Sequence, residues 1–314
     1  MALGPDEARK LREVGHDILV ETGTGILSGL SDEEYKKAGA KIVSAEEVWK
    51  KADMIVKVKE PLAEEWKYFR AGLIIATFFH FPANKELEAE CLKKKVLTVP
   101  YEAITVDGGS RPVLAAMSRV AGEVAADVGA EYLRRENGGK GVLLKDATVT
   151  IIGAMGSVGR RAYDILKRRS AKTIAIDVPS ESAGYGQDYR SSGSKNIAEA
   201  LKESDLVIGA AVNREKGAPR LITREMVQAM GKGSVIVDVS IDEGGISETS
   251  RPTSHSEPTY VEEGVTHYCV PNMPGAVPRS STKALTAASF PYILRIANGR
   301  KKAIDEILSA RSPK

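Results

Sequence analysis

Apolar and polar positions alternate along this chain in short blocks, extended runs trading places with helical patterns. A polar helical pattern covers residues 5–14, with Pro5 where a first turn tolerates a missing N–H. Residues 17–21 (DILVE) predict a short strand, and Gly23 and Gly25 a turn. Ser31 followed by Glu34, and Ser44 followed by Glu47, are spaced as helix N-caps with a reciprocal acid three positions on. They open helices over 31–38 and 44–52, with a brief strand at 41–43 between them. Further strands are expected at 54–59, 73–79 and 96–101, with a helix over 84–94. The run at 73–79 is apolar throughout, as a strand buried on both faces would be.

Residues 112–135 suit one long helix, stopped by the glycines of 137–141 (NGGKG). Alternation then resumes, with strands at 147–152, 173–178, 206–210, 235–240 and 267–270 and helices over 157–169, 196–203 and 223–230. The chain closes with a helix over 281–297, kinked or interrupted near Pro291, and a polar helix over 301–310. Strands alternating with covering helices imply parallel sheets. The expected fold class is therefore α/β, in two domains: 1–115 with 280–314 as a substrate domain, and 116–279 as a nucleotide domain.

Composition narrows the class further. The 314 residues are 42% hydrophobic and 28% charged, an ordinary globular balance that excludes disordered and collagen-like chains. A net charge of +3, from 45 basic and 42 acidic residues, gives no footprint for nucleic acid. Two cysteines, Cys91 and Cys269, cannot form a disulfide framework or a CxxC zinc pair, and a reducing cytoplasm fits them best. No apolar run approaches the roughly 20 residues of a membrane helix. The first residues lack the apolar core of a signal peptide. No metal site is expected. His16 is expected to cap carbonyls at a helix exit, His255 and His267 lack ligand spacing, and Trp49 and Trp66 suit packing.

The strongest chemical signal is the run from Thr148 to Gly159, a β-rich segment entering a turn with Gly153, Gly156 and Gly159 and opening a helix at Ser157 and Val158. Glycines let backbone approach a pyrophosphate, and a helix start supplies free N–H groups and a positive dipole end. The next strand ends at Asp177, where a carboxylate can hold ribose hydroxyls and repel a 2′-phosphate. The spacing is GxxGxxG instead of GxGxxG. A second signal is Lys57-Val-Lys59 at a strand end, with His80 closing the apolar run and Glu102 closing the next strand. Lys57 and Lys59 are expected on one face. Lysine can hold a carboxylate, and histidine can move a proton near neutral pH. A third is Asp242 before Gly244 and Gly245, which taken alone is ordinary turn chemistry.

These stretches, with several others, match a family. Residues 56–61 (VKVKEP), 76–80 (ATFFH), 100–102 (PYE), 117–122 (MSRVAG), 138–142 (GGKGV), 205–210 (DLVIGA), 237–245 (VDVSIDEGG), 250–253 (SRPT) and 268–274 (YCVPNMP) stand in the order found in bacterial alanine dehydrogenases. The chain resembles that family over nearly its full length. The resemblance implies two Rossmann-like domains with mainly parallel sheets flanking a cleft, and a homo-oligomer, hexamer or dimer. It also implies reversible oxidative deamination of L-alanine, or a close small amino acid, to pyruvate and ammonia with NAD. It implies Lys59 on the substrate's carboxylate or carbonyl, His80 as acid/base, and Asp242 assisting the water and ammonia steps. Ser118, Asp177, Asn272 and Met273 would be cofactor contacts. Against the family pattern, the phosphate loop carries one added residue and Arg119 replaces a frequent glutamate. The family's opening strand and a substrate-binding arginine are expected ahead of Met1.

Two other activities use related parts. One is reductive condensation of pyruvate with an amino acid's amine. The other is nicotinamide binding without full catalysis, as in a transhydrogenase subunit.

Overall fold

The computed structural model describes residues 1–106, 109–179, 184–213 and 217–309. The chain forms two compact units, Met1–Met117 together with the chain from Val277 on, and Ser118–Ala276.

The first unit opens with α1 (Pro5–Glu13), β1 (Leu19–Glu21), α2 (Asp32–Lys37), β2 (Lys41–Val43), α3 (Ala45–Lys51), β3 (Met54–Val56), β4 (Ile74–Thr77), α4 (Lys85–Lys93) and β5 (Leu97–Pro100). Both hydroxyl caps form, the Ser31 hydroxyl accepting from the Glu34 N–H at 3.3 Å and the Ser44 hydroxyl from the Glu47 N–H at 3.2 Å, but only Glu34 returns a bond to its cap's N–H, at 2.7 Å, while Glu47 pairs with Lys51. All pairings are parallel, but the strands fall into two sheets, β1–β2 and β3–β4–β5. Among the described residues β1 and β3 each pair on one side only, and both line a groove of about 840 Å3. β4 is buried on both faces, as its composition predicts. Ile74 and Ala76 enter one core with Phe78, Val99 and Tyr101, while Ile75 enters another with Trp49, Phe69 and Leu87. Successive side chains of a strand point to opposite faces, so an apolar strand serves two cores. β3 is shorter than expected. Past Val56 only single bonds continue toward β4, Lys57 N–H to Ala76 and Phe78 N–H to Val58, at 3.0 and 3.3 Å.

Helix α5 (Pro112–Tyr132) leads into the second unit. There follow β6 (Thr148–Ile152), α6 (Ser157–Arg168), β7 (Lys172–Asp177), β8 (Tyr189–Ser191), α7 (Ser194–Glu203), β9 (Leu206–Gly209), α8 (Arg224–Gln228), β10 (Val235–Asp238), β11 (Thr259–Glu262) and β12 (Val265–Tyr268). They form one seven-stranded sheet in the order β11-β12-β10-β9-β6-β7-β8, parallel except for the β11–β12 hairpin. β8 and β11 are not visible in the sequence pattern. β8 is three half-buried residues, and β11 is an antiparallel edge with one exposed residue. The six parallel strands run third, second, first, fourth, fifth, sixth. The order therefore reverses at β6, where a doubly wound sheet places its ligand crevice.

The chain returns to the first unit through α9 (Pro278–Ser309). Leu285, Ile293, Ile296, Ala303, Ile304 and Ile307 pack with Ile74, Ala76 and Val99. The expected interruption at Pro291 is absent. Pro291 sits inside the helix, and the break falls at Arg300, with φ 46° and ψ −133°. One missing N–H is offset by the packed face around it, whereas a left-handed residue redirects the chain itself. Of the expected last helix, Ala310 lies outside the described residues.

Candidate active site

In the first unit the candidate residues gather at the C-terminal ends of β3, β4 and β5. Thr77, the last residue of β4, donates its hydroxyl to the carbonyl of Lys59 at 2.8 Å. That bond ties the segment bearing Lys59 to the strand that leads into His80. The two lysines do not act as a pair on one face. Lys57 is ion-paired to Glu65 and lies 5.4 Å from the centroid of the Trp49 ring. Lys59 is exposed, and among the described residues its ammonium has no protein partner. Sheet and helix packing thus commits one lysine to an ion pair and leaves the other exposed.

His80 has a left-handed backbone, φ 51°, which few residues with a side chain adopt. The surroundings hold it there. The Glu102 carboxylate accepts the N–H groups of Phe79 and His80 on Oε1, at 3.1 and 2.8 Å. The Asn84 amide donates to the carbonyls of Phe79 and His80, at 3.0 and 3.3 Å. The imidazole stacks on Phe78, with centroids 6.0 Å apart and planes 23° from parallel. No described side chain bonds its ring nitrogens. Sequence reasoning missed Thr77 and Asn84, because bonds from a side chain to a neighbouring strand's backbone leave no periodic trace.

In the second unit the glycine turn lies between β6 and α6, at the reversal of strand order. Gly153 has φ 88°, and a Cβ there would stand 2.5 Å from the backbone of Ala210. A Cβ at Gly159 would stand 2.2 Å from the Gly153 carbonyl oxygen. Both glycines are therefore needed for the turn after β6 to close against α6. The N-cap, Gly156, contributes no side-chain cap, and the first N–H groups of a helix, here at Ser157, Val158 and Gly159, have no intrahelical acceptor. Ser157 and Gly156 are exposed. Asp177, half-buried at the end of β7, accepts the Met155 N–H on Oδ2 and the Val178 N–H on Oδ1, both at 2.7 Å. Each oxygen keeps a lone pair for a further donor. Tyr185, which sequence reasoning also missed, donates its hydroxyl to the Ala154 carbonyl at 2.5 Å and pins the turn from the side.

Asp242 follows β10 in a 3-10 turn and is exposed. It is more than turn chemistry. Its Oδ2 accepts the N–H of Asn272 at 3.0 Å, and Asn272 has a left-handed φ of 54°. Met273 beside it is buried. The structure thus joins Asp242 with two of the expected cofactor contacts. Beneath them Asp238 is fully buried and accepts from Ser240 N–H, Ile246 N–H and the Ser250 hydroxyl, at 3.1, 2.8 and 2.6 Å. Burial raises its carboxyl above the usual carboxylate range, against those hydrogen bonds. Ser118, half-buried on α5, opens the second unit.

His267 and His16 serve structure. His267 is buried, with Nδ1 against the Val265 carbonyl at 3.0 Å and Nε2 against the Thr249 hydroxyl at 2.7 Å. Desolvation holds its imidazole below the usual range. At the exit of α1 the His16 backbone N–H caps the Leu11 carbonyl at 3.1 Å, while its ring bonds the Asn298 side-chain oxygen at 2.9 Å. Both cysteines are buried and free, and burial pushes the thiols of Cys91 and Cys269 up to about 12 and about 11.

A parallel sheet that reverses at a glycine turn, with a carboxylate closing the neighbouring strand, places the second unit in the dinucleotide-binding class of doubly wound α/β proteins. Comparison with known proteins narrows the class to a family. The alanine dehydrogenase/PNT N-terminal domain matches residues 1–121, and the alanine dehydrogenase/PNT C-terminal domain matches residues 125–310. The chain belongs to the alanine dehydrogenase/PNT family. It is 44% identical to an alanine dehydrogenase of Bacillus subtilis, covering 99% of this chain and 86% of that protein. A solved L-alanine dehydrogenase superposes with a TM-score of 0.90 at 38% identity, over 98% of this chain and 90% of that one. A transhydrogenase from Sinorhizobium meliloti superposes at 0.84 with 25% identity, over 98% and 92%. Among the described residues no helix is long and apolar enough to cross a membrane.

Proposed function

We propose that this chain catalyses the reversible, NAD-dependent oxidative deamination of L-alanine, or a close small amino acid, to pyruvate and ammonia. The observation that carries the reading is the bond from Thr77 to Lys59, which sets an unpartnered lysine beside the strand end that bears His80. Nucleotide binding alone needs neither residue. The likeness to alanine dehydrogenases over almost the whole chain supports it.

The second unit holds NAD. The start of α6 would receive the pyrophosphate, Asp177 would take the ribose hydroxyls, and Ser118, Asn272 and Met273 would complete the contacts. Bound NAD supplies the acceptor for the hydride leaving the amino acid's α-carbon. Lys59 binds the substrate carboxylate or polarises the carbonyl of pyruvate. His80 takes the proton released as water adds to the imine and returns it in the reverse direction. Asp242 assists the same water and ammonia steps, oriented by the Asn272 N–H. We place the protein in the cytoplasm as a homo-oligomer, a hexamer or dimer, with small amino and oxo acids as its ligands and no nucleic acid.

The test follows NADH oxidation with pyruvate and ammonium, with pyruvate and lysine or ornithine, and with pyruvate alone. Ammonium-dependent turnover is expected. Turnover only with the larger amines would assign the condensation reaction, and tight NADH binding without turnover would assign a binding module. His80→Asn, chosen because asparagine tolerates a left-handed backbone, should lower turnover by about 10²–10⁴ with NADH binding retained. Lys59→Ala should abolish turnover and weaken pyruvate binding.

A further inference from the structure

We propose that Glu102 is a positioning residue for His80, acting through the backbone and not through the imidazole. The inference rests on the acid/base role given to His80 above. β4 and β5 are neighbours in register, Thr77 opposite Pro100, so the chain leaving β5 passes beside the chain leaving β4. Glu102 sits in the 3-10 turn Tyr101–Ala103 that follows β5. Tyr101, just before it, is fully buried against Phe78, ring edge to face at 5.3 Å, so the turn has a fixed base.

From there the carboxylate reaches two consecutive N–H groups. Oε1 takes those of Phe79 and His80, and Oε2 lies 3.4 Å from the first. Two consecutive N–H groups converge on one acceptor only where the residue between their peptide planes, here Phe79, leaves the extended conformation; with the N–H of His80 fixed in this way, its φ of 51° sets where its own side chain and carbonyl go. On the carbonyl side, the Ala83 and Asn84 N–H groups close on the His80 oxygen at 2.9 and 3.0 Å. The Asn84 amide adds its bonds to Phe79 and His80. The peptide is thereby gripped from both ends in a conformation that an L-residue with a side chain does not hold unaided.

The direction of the imidazole follows from that φ. Relaxed to an extended backbone, residue 80 would send its side chain elsewhere and lose the stack on Phe78. The carboxylate is suited to the task because it is an acceptor only and can receive more than one N–H. A side chain one methylene shorter fails to reach, and one without an oxygen leaves two N–H groups unanswered. The requirement is for an acceptor at that place, so a glutamine whose Oε1 occupies the position of the carboxylate oxygen should serve.

The experiment measures kcat, pyruvate KM and NADH Kd for Glu102→Ala, Glu102→Asp and Glu102→Gln, each alone and in a His80→Asn background. Misplacement of a catalytic group predicts kcat lowered roughly 10- to 100-fold in Glu102→Ala and Glu102→Asp. Pyruvate KM and NADH Kd should stay within about twofold, and Glu102→Gln should recover kcat to within about threefold. In the His80→Asn background the Glu102 substitutions should cost nothing further, because both changes remove the same contribution. Should Glu102→Ala fail to fold, Glu102→Asp carries the comparison. Wild-type kcat in the variants, a Glu102→Gln enzyme as slow as Glu102→Ala, or a loss that persists undiminished in the His80→Asn background would each overturn the proposal. Wild-type turnover in His80→Asn alone would instead overturn the role given to His80.

Discussion

Cofactor choice rests on one carboxylate, and Asp177→Asn tests it. Asp177 closes β7 half-buried, with one N–H on each oxygen at 2.7 Å. Asparagine keeps a carbonyl oxygen for the Met155 N–H, so the glycine turn should survive the change. What is lost is the charge, the acceptor for the Val178 N–H and one acceptor for the ribose. A hydrogen bond to a charged group contributes about 1.5–3 kcal/mol. Water screens a half-buried carboxylate, so the lower end applies, and NADH should bind about tenfold more weakly. The same charge repels a 2′-phosphate. Two unit charges about 4 Å apart in water interact by about 1 kcal/mol, and a dianion doubles that. NADPH should therefore bind about 30-fold more tightly once the charge is gone, and the preference ratio should move by about 300-fold. The assay is fluorescence titration of both cofactors at fixed ionic strength, with a melting curve of the cofactor-free protein beside it. A general loosening of the turn would weaken both cofactors alike and leave the ratio alone. An unchanged ratio, or a wild type that binds NADPH as tightly as NADH, refutes the assignment.

Gly159→Ala sets a methyl 2.2 Å from the Gly153 carbonyl oxygen, a backbone atom that cannot swing aside. It should destabilise the protein by about 1–3 kcal/mol and abolish NADH binding, whereas Gly193→Ala, with nothing within 4 Å, should do neither. Calorimetry and titration of the two variants decide it, and a Gly159→Ala protein that binds NADH normally would rule out the packing argument. His267 is buried and neutral in the fold, while in the unfolded chain it takes up a proton near pH 6.5. Because its folded value is the lower one, its contribution is complete above about pH 6.5 and is lost as pH falls, by at most about 1.4 kcal/mol per unit. Urea midpoints between pH 7.5 and 5.5 should show a shallower decline for His267→Gln than for the wild type, and identical slopes would contradict this.

Most of the local structure is legible in neighbouring residues. Ser31 and Ser44 announced their helices because a cap acts within four residues. The glycine turn and Asp177 were legible because close backbone approach leaves few substitutes for glycine and because strand and helix periods flank the turn. The tertiary structure decided what depends on pairing between distant segments. The split of the first unit into two sheets and the edge strands β8 and β11 are of this kind, whereas the break in α9 at Arg300 falls between the two closing helices read from the sequence. At the site, Lys57 and Lys59 are alike in sequence, and only the placement of Glu65 and Trp49 commits the first to an ion pair and leaves the second exposed. Taken alone Asp242 is ordinary turn chemistry, the family resemblance gives it a role, and its bond to Asn272, thirty positions on, is visible only in the fold. Glu102 read as a strand-end acid until two N–H groups from the neighbouring strand converged on its carboxylate. Periodicity and capping are short-range and are written into neighbouring residues. The partner of a charge is chosen by how the sheets stack.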